Sequence, residues 1–192
     1  MRTFIEKKWI FFIVLVFACV WQGFSAGSVE FGIGSGYVFY GDDDVRERND
    51  QLSDSSQIIL QVTAAYNLKI AEPVYLSFGI DTAFDAHWGD GHYVHMLDYA
   101  GLVGFKVYPG IAGLLLSVDY ALGRRTDFFD LPGYDGSSYS TNWGNGFKFG
   151  IQYDFLYNSN GLSPVAGISW RRMPRGNSAD NILSVFLKLT IK

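Results

Sequence analysis

Cysteine is all but missing. The 192-residue chain holds one, Cys19, inside an apolar N-terminal stretch. Disulfides and thiol chemistry are therefore excluded for everything downstream of that stretch. Charge is also scarce: 18% of residues are Asp, Glu, Lys or Arg, against about a quarter in an ordinary soluble domain. A basic surplus is lacking too, since the formal net charge is −4, which argues against a nucleic-acid partner. Beyond residue 26 no apolar run reaches the ~20 residues of a membrane-spanning helix, and helical periodicity is absent. With 48% hydrophobic residues, disorder is excluded as well.

The first 26 residues read as a leader. Arg2, Lys7 and Lys8 are followed by the apolar run 9–21 and by small residues at Ser25 and Ala26. That order is the pattern of a secretory signal peptide. Cys19 follows Val16-Phe17-Ala18, a weak likeness to a lipoprotein box, so acylation is the alternative there. The expected domains are a signal peptide at 1–26 and one folded unit at 27–192. Removal of the leader lowers the net charge to −6.

What the rest of the chain has is period two. Apolar and polar residues alternate in eight segments, 28–40, 57–68, 74–86, 93–108, 114–123, 143–155, 162–173 and 182–192. In 143–155, for example, Trp143, Phe147, Phe149, Ile151, Tyr153 and Phe155 alternate with Gly144, Gly146, Lys148, Gly150, Gln152 and Asp154. Connections 67–73, 108–113 and 156–161 are short and turn-like. The stretches 41–56 and 124–142 are long and polar, with 87–92 and 174–180 as shorter members of the same set. This is an all-β, antiparallel, up-and-down meander of eight strands.

The polar faces set its polarity. They hold mainly Gly, Ala, Ser, Thr and Gln, with one or two charges per strand, and suit the narrow interior of an eight-stranded barrel better than a wet surface. Glu30, Asp81, Asp98, Lys106, Asp119, Lys148, Asp154, Arg171 and Lys188 are then expected as an interior network of mixed sign. The apolar faces meet lipid. Phe39, Tyr66, Phe84, Tyr93, Phe105, Tyr120, Trp143, Tyr153, Phe155 and Trp170 are expected at strand ends as two interfacial girdles. Closure requires the first strand to pair with the last, since an open edge in hydrocarbon leaves peptide groups unpaired.

With signal peptide, strand pattern and loop asymmetry in place, the chain resembles the small outer-membrane barrels of Gram-negative-type envelopes, the group of the OmpA transmembrane domain, OmpX and OmpW. It departs from them in ending Leu187-Lys188-Leu189-Thr190-Ile191-Lys192, without a terminal aromatic residue. The resemblance implies an integral outer-membrane protein with lipid as its solvent, one that binds or passes small hydrophobic molecules. Two alternatives stand beside it. One is an adhesion barrel whose long loops contact a host or surface macromolecule through Phe128, Phe129, Tyr134 and Tyr139. The other is a soluble periplasmic lipocalin-like carrier, with the apolar face inward.

Chemistry is thinly represented. His87, His92 and His95 have no established metal spacing, and Asp42-Asp43-Asp44 lacks the spaced ligands of a calcium loop. The GIGSG stretch 32–36 precedes no helix, and no G-x-S-x-G is present. No catalytic residue, cofactor or metal is expected. A lipid-modifying enzyme built around His95 is the remaining catalytic alternative.

Overall fold

A computed structural model describes residues 27–52 and 55–192, without the side chains at 134–136. The expected leader and Cys19 lie outside the described residues. The described chain is almost entirely strand: β1 (Gly27–Phe39), a short helix α1 (Asp43–Asp50), β2 (Ser56–Ala71), β3 (Val74–Gly89), β4 (His92–Val107), β5 (Leu114–Leu131), β6 (Tyr134–Ser140), β7 (Gly144–Asp154), β8 (Leu162–Arg175) and β9 (Ser178–Ile191). All pairings are antiparallel, and β4 pairs with β5 while β1 pairs with β9. The β1–β9 register runs from Val29↔Ile191 to Phe39↔Asn181, so the sheet closes without an edge into an eight-staved barrel.

Nine strands make eight staves because β6 and β7 form one stave interrupted by a bulge. β5 pairs with β7 up to Gly123↔Gly144, and with β6 from Thr126↔Ser140 onward, one residue out of step. The extra residue falls in 141–143. There the Thr141 backbone N–H donates to the Arg125 carbonyl at 2.9 Å, and Thr141 Oγ1 accepts from the Arg125 N–H at 3.0 Å. Such an insertion bends the stave and increases its twist.

The loop side differs from its sequence expectation. Only 41–56 among the four loop-side connections is more than a turn, and it contains α1. The stretch 124–142 is strand: β5 runs on to Leu131 and β6 returns beside it. Likewise 87–92 and 174–180 are the tips of hairpins. The first turns at Asp90 and Gly91, both with positive φ (52° and 79°), the geometry of a two-residue hairpin turn. The second turns at Gly176 (φ 65°). Charged side chains hide these extensions, because Arg125, Asp127 and Arg175 interrupt the apolar alternation without breaking its parity. β3, β4, β5 and β6 therefore rise as a crest on one side of the rim.

The two faces have opposite chemistry. Phe31, Ile33, Phe147, Phe149, Ile151, Val185, Leu187 and Leu189 all point outward, each about half exposed or more, up to 66% for Leu187. Buried inside are Gln, Ser, Thr, Asp, Lys and Arg. A water-soluble protein does the reverse. This polarity matches a barrel solvated by hydrocarbon and is the opposite of what a soluble lipocalin-like carrier requires. No described helix is long and apolar enough to cross a membrane. Some large apolar side chains, Leu102, Leu115, Met173 and Ile182 among them, also face inward, and the bulkiest below the crest is Phe186. Gly167 admits it, since a Cβ there would lie 2.9 Å from the Phe186 ring and 2.6 Å from the Ile151 carbonyl oxygen. Lys188 Nζ then rests 4.4 Å from the ring centroid.

Candidate functional site

Inward-facing register positions bring the charges together. From the loop side downward, Arg125 Nε donates to Asp127 Oδ1 (2.7 Å) and Arg125 Nη1 to Asp180 Oδ2 (2.5 Å). Arg175 bridges Asp180 and Asp98, each at 2.7 Å. Arg171 bridges Asp98 (2.6 Å) and Asp81 (3.1 Å). Lys148 closes the ladder on Asp81 at 2.7 Å. Below it Asp119, Lys106, Lys148 and Lys188 surround a void of about 20 Å³, room for one water. Glu30 forms the lower rung, 2.6 Å from Lys106 and 3.5 Å from Lys188. Lys188 also donates to Gln152 Oε1. At the turn-side mouth Asp154 accepts from Lys192 (2.7 Å), Tyr108 (2.8 Å) and Ser163.

All nine charges expected in the interior point into the lumen, and all are buried. Several participants were not anticipated, Lys192 at the turn-side mouth among them. Asp85, Arg125, Asp127, Arg175 and Asp180 lie in or beside stretches whose polarity resembled loop. The signal that finds them is parity: Arg125 and Asp127 continue the inward series Asp119, Ala121, Gly123, and Arg175 continues Arg171, Met173.

A cap covers the loop-side mouth. Asp42 is the N-cap of α1, its Oδ1 accepting from the Asp44 N–H at 3.2 Å. Arg46 pairs with Asp43 on the exposed side. Val45 and Leu52 pack with Val94, Met96, Phe129 and Leu131 on the inner face of the crest. Arg48 reaches the ladder itself, 3.0 Å from Asp127, with its guanidinium over the Phe129 ring. Tyr40 donates to Asp85 at 2.8 Å. Burial and then that carboxylate push the Tyr40 hydroxyl well above its ordinary pKa, so it remains a donor. Val45→Asp buries a carboxylate among Val94, Met96, Phe129 and Leu131 and is expected to release α1 without opening the barrel. Limited proteolysis within 40–55 should accelerate at least about tenfold, while the barrel's thermal midpoint holds.

The remaining expected residues are distributed unevenly. Phe128 and Tyr139 are exposed, but they lie on strands of the crest rather than in a loop. Phe129 is not an outward contact: it is buried under α1. The side chain of Tyr134 lies outside the described residues. Phe39, Tyr93 and Trp143 lie at the loop-side ends of their strands, with Phe84 nearby. Tyr66, Phe105, Tyr153 and Phe155 lie toward the turns. Tyr120 and Trp170 are not at ends. Their strands run further than the polar pattern shows, and each is packed within the wall. The Tyr120 ring lies 6.0 Å from that of Phe147, and the Trp170 ring stacks on Phe149 at 5.9 Å. The histidines do not converge. His95 faces outward between Tyr93 and Phe84, and His87 lies beside Asp85 in the lumen mouth. No cluster able to hold a metal occurs among the described residues.

No family model matches the sequence, and no curated protein matches it. Solved structures do share its fold. One is the attachment invasion locus protein Ail of Yersinia pestis, in complex with the heparin analogue sucrose octasulfate: 10% identical, covering 86% of this chain and 97% of that one, TM-score 0.57. Another is Neisserial surface protein A, 11% identical, covering 86% and 96%, TM-score 0.54. At such identities the likeness is one of fold, and in fold this chain resembles the small eight-stranded outer-membrane β-barrels.

Proposed function

We propose that this protein is a non-enzymatic integral outer-membrane barrel, exported through a cleavable signal peptide, that does not conduct and acts through its loop-side crest on a protein partner. The observation that carries this is the ladder from Asp127 to Lys148. It crosses the lumen from stave to stave, so a solute moving through would have to break several buried ion pairs at once. Passage of small hydrophobic molecules, which the OmpW likeness implies, finds no apolar-lined path through the lumen among the described residues. Adhesion has a surface. Trp88, Phe128 and Tyr139 are exposed on the crest, and aromatic side chains of this kind anchor protein interfaces. Ail, one of the fold neighbours, is by name an attachment protein. Its heparin analogue is a polyanion, whereas the cap of this chain exposes Asp43, Asp44, Glu47 and Asp50, which disfavours that ligand here.

Planar-bilayer recording tests the sealed lumen: the purified protein is expected to add no stepwise conductance, and regular unitary steps would overturn the reading. Trp88→Ala with Phe128→Ala should reduce attachment of expressing cells to host cells at least about tenfold, with unchanged amounts of heat-modifiable barrel in the envelope. Equal attachment by the variant would remove the crest from the mechanism.

A further inference from the structure

The turn-side mouth of the lumen, at the end opposite the crest, holds a cavity of about 420 Å³. That is within the roughly 300–1,000 Å³ of small-molecule sites. Its wall contains two inward polar side chains that are buried and incompletely bonded. Asn67 is 2% exposed and Thr190 4% exposed. Asn67 Oδ1 and Thr190 Oγ1 have no hydrogen-bond partner among the described residues. The Asn67 amide is oriented by its nitrogen, which donates to Glu30 Oε1 (2.9 Å) and Ser28 Oγ (3.2 Å), and this leaves its oxygen as the unpaired acceptor. Buried polar atoms of this kind normally find a partner.

The charges around them are already matched. Lys106 is 2.6 Å from Glu30, Lys192 is 2.7 Å from Asp154, and Lys69 is 2.6 Å from Glu72. An anion or a cation entering here would meet no spare counter-charge. An apolar molecule would leave the Asn67 and Thr190 oxygens unsatisfied. One side of the cavity is aromatic. Tyr75 meets Tyr108 edge-on at 5.9 Å, and Tyr157 lies 6.5 Å from Tyr108. The Tyr108 hydroxyl is engaged with Asp154, and burial followed by that bond keeps it protonated.

We infer that this mouth binds a neutral polyhydroxylated ring, a saccharide unit whose hydroxyls donate to Asn67 Oδ1 and Thr190 Oγ1 while its C–H face lies on the tyrosine rings. The site is separate from the crest and does not depend on the adhesion reading. It also differs in kind from a polyanion site, because nothing in it selects for sulfate.

Titration of the purified full-length barrel in micelles with cellobiose and with N,N′-diacetylchitobiose, followed by backbone amide shifts, tests this. Saturable shifts are expected for at least one disaccharide, confined to the strand ends and turns around residues 28–30, 67–75, 106–110, 157–160 and 190–192, with a Kd of about 1 mM. Asn67→Ala should weaken binding about tenfold. Tyr157→Ala, which removes an exposed ring and leaves the lumen intact, should act in the same direction, and Phe128→Ala on the crest should leave the affinity unchanged. The inference is overturned if neither disaccharide gives saturable shifts, if inorganic phosphate or spermidine reproduces them, or if both mouth variants bind as the parent does.

Discussion

Arg171→Ala is expected to cost about 3–5 kcal/mol of unfolding free energy, because it removes the cation shared by two buried carboxylates and leaves each with a single remaining partner. Arg171 is 1% exposed and joins two carboxylates, Asp98 at 2.6 Å and Asp81 at 3.1 Å. After truncation Asp81 retains Lys148, and Asp98 retains Arg175. The loss is therefore spread over the ladder, since Arg175 must then serve Asp98 and Asp180 without a second cation on the lower side. Reversible urea unfolding from lipid vesicles measures it. A cycle with Asp98→Asn separates the pair from the network. If Arg171→Ala leaves Asp98 stranded, the double variant should recover part of the loss and show a coupling of about 1–3 kcal/mol. A loss below about 1 kcal/mol for Arg171→Ala would mean that water reaches the lumen freely, and the sealed-barrel reading would fall with it.

The strand count, the closure and the polarity of the wall were all legible in the sequence, because a two-residue period with one apolar face survives in a one-dimensional reading. Phe147, Phe149 and Ile151 against Lys148, Gly150 and Gln152 state the wall's orientation by themselves. The upper third was less legible for the same physical reason. Where β5 leaves the apolar belt its outward residues need no longer be greasy, so Arg124, Thr126 and Asp130 read as loop although Arg125, Asp127 and Phe129 keep the inward parity. α1 was invisible for another reason: eight residues make barely two turns, and Val45 alone of them is buried. The Thr141 bulge leaves no periodic trace, as one inserted residue only shifts the phase. Pairings within the ladder lie beyond any linear reading. Arg171 and Asp81 are 90 positions apart, and only closure of the sheet puts them across one lumen.

Ile151→Arg is expected to destabilise the barrel in a bilayer by about 2–4 kcal/mol, the cost of a guanidinium on the lipid face near mid-depth. Ile151 is 55% exposed, pairs laterally with Leu116 and Ile168, and has no carboxylate beside it to satisfy an arginine. The same substitution on a water-facing wall changes stability by no more than about 0.5 kcal/mol. The variant therefore tests whether this outward face meets lipid or water. A depth series sharpens the test. Arginine at Tyr153, two residues nearer the turns on the same outward face, should cost less, because the side chain can reach the interface. At Gln152, between them but inside, arginine should be costly for a different reason: it would crowd Lys188, which now donates to the Gln152 side chain, with a like charge. Added salt should relieve little of either penalty, since position 152 is sealed from ions and transfer from water to hydrocarbon is not screened. Equal and small effects at all three positions would show that neither lipid outside nor packed charge inside constrains the wall.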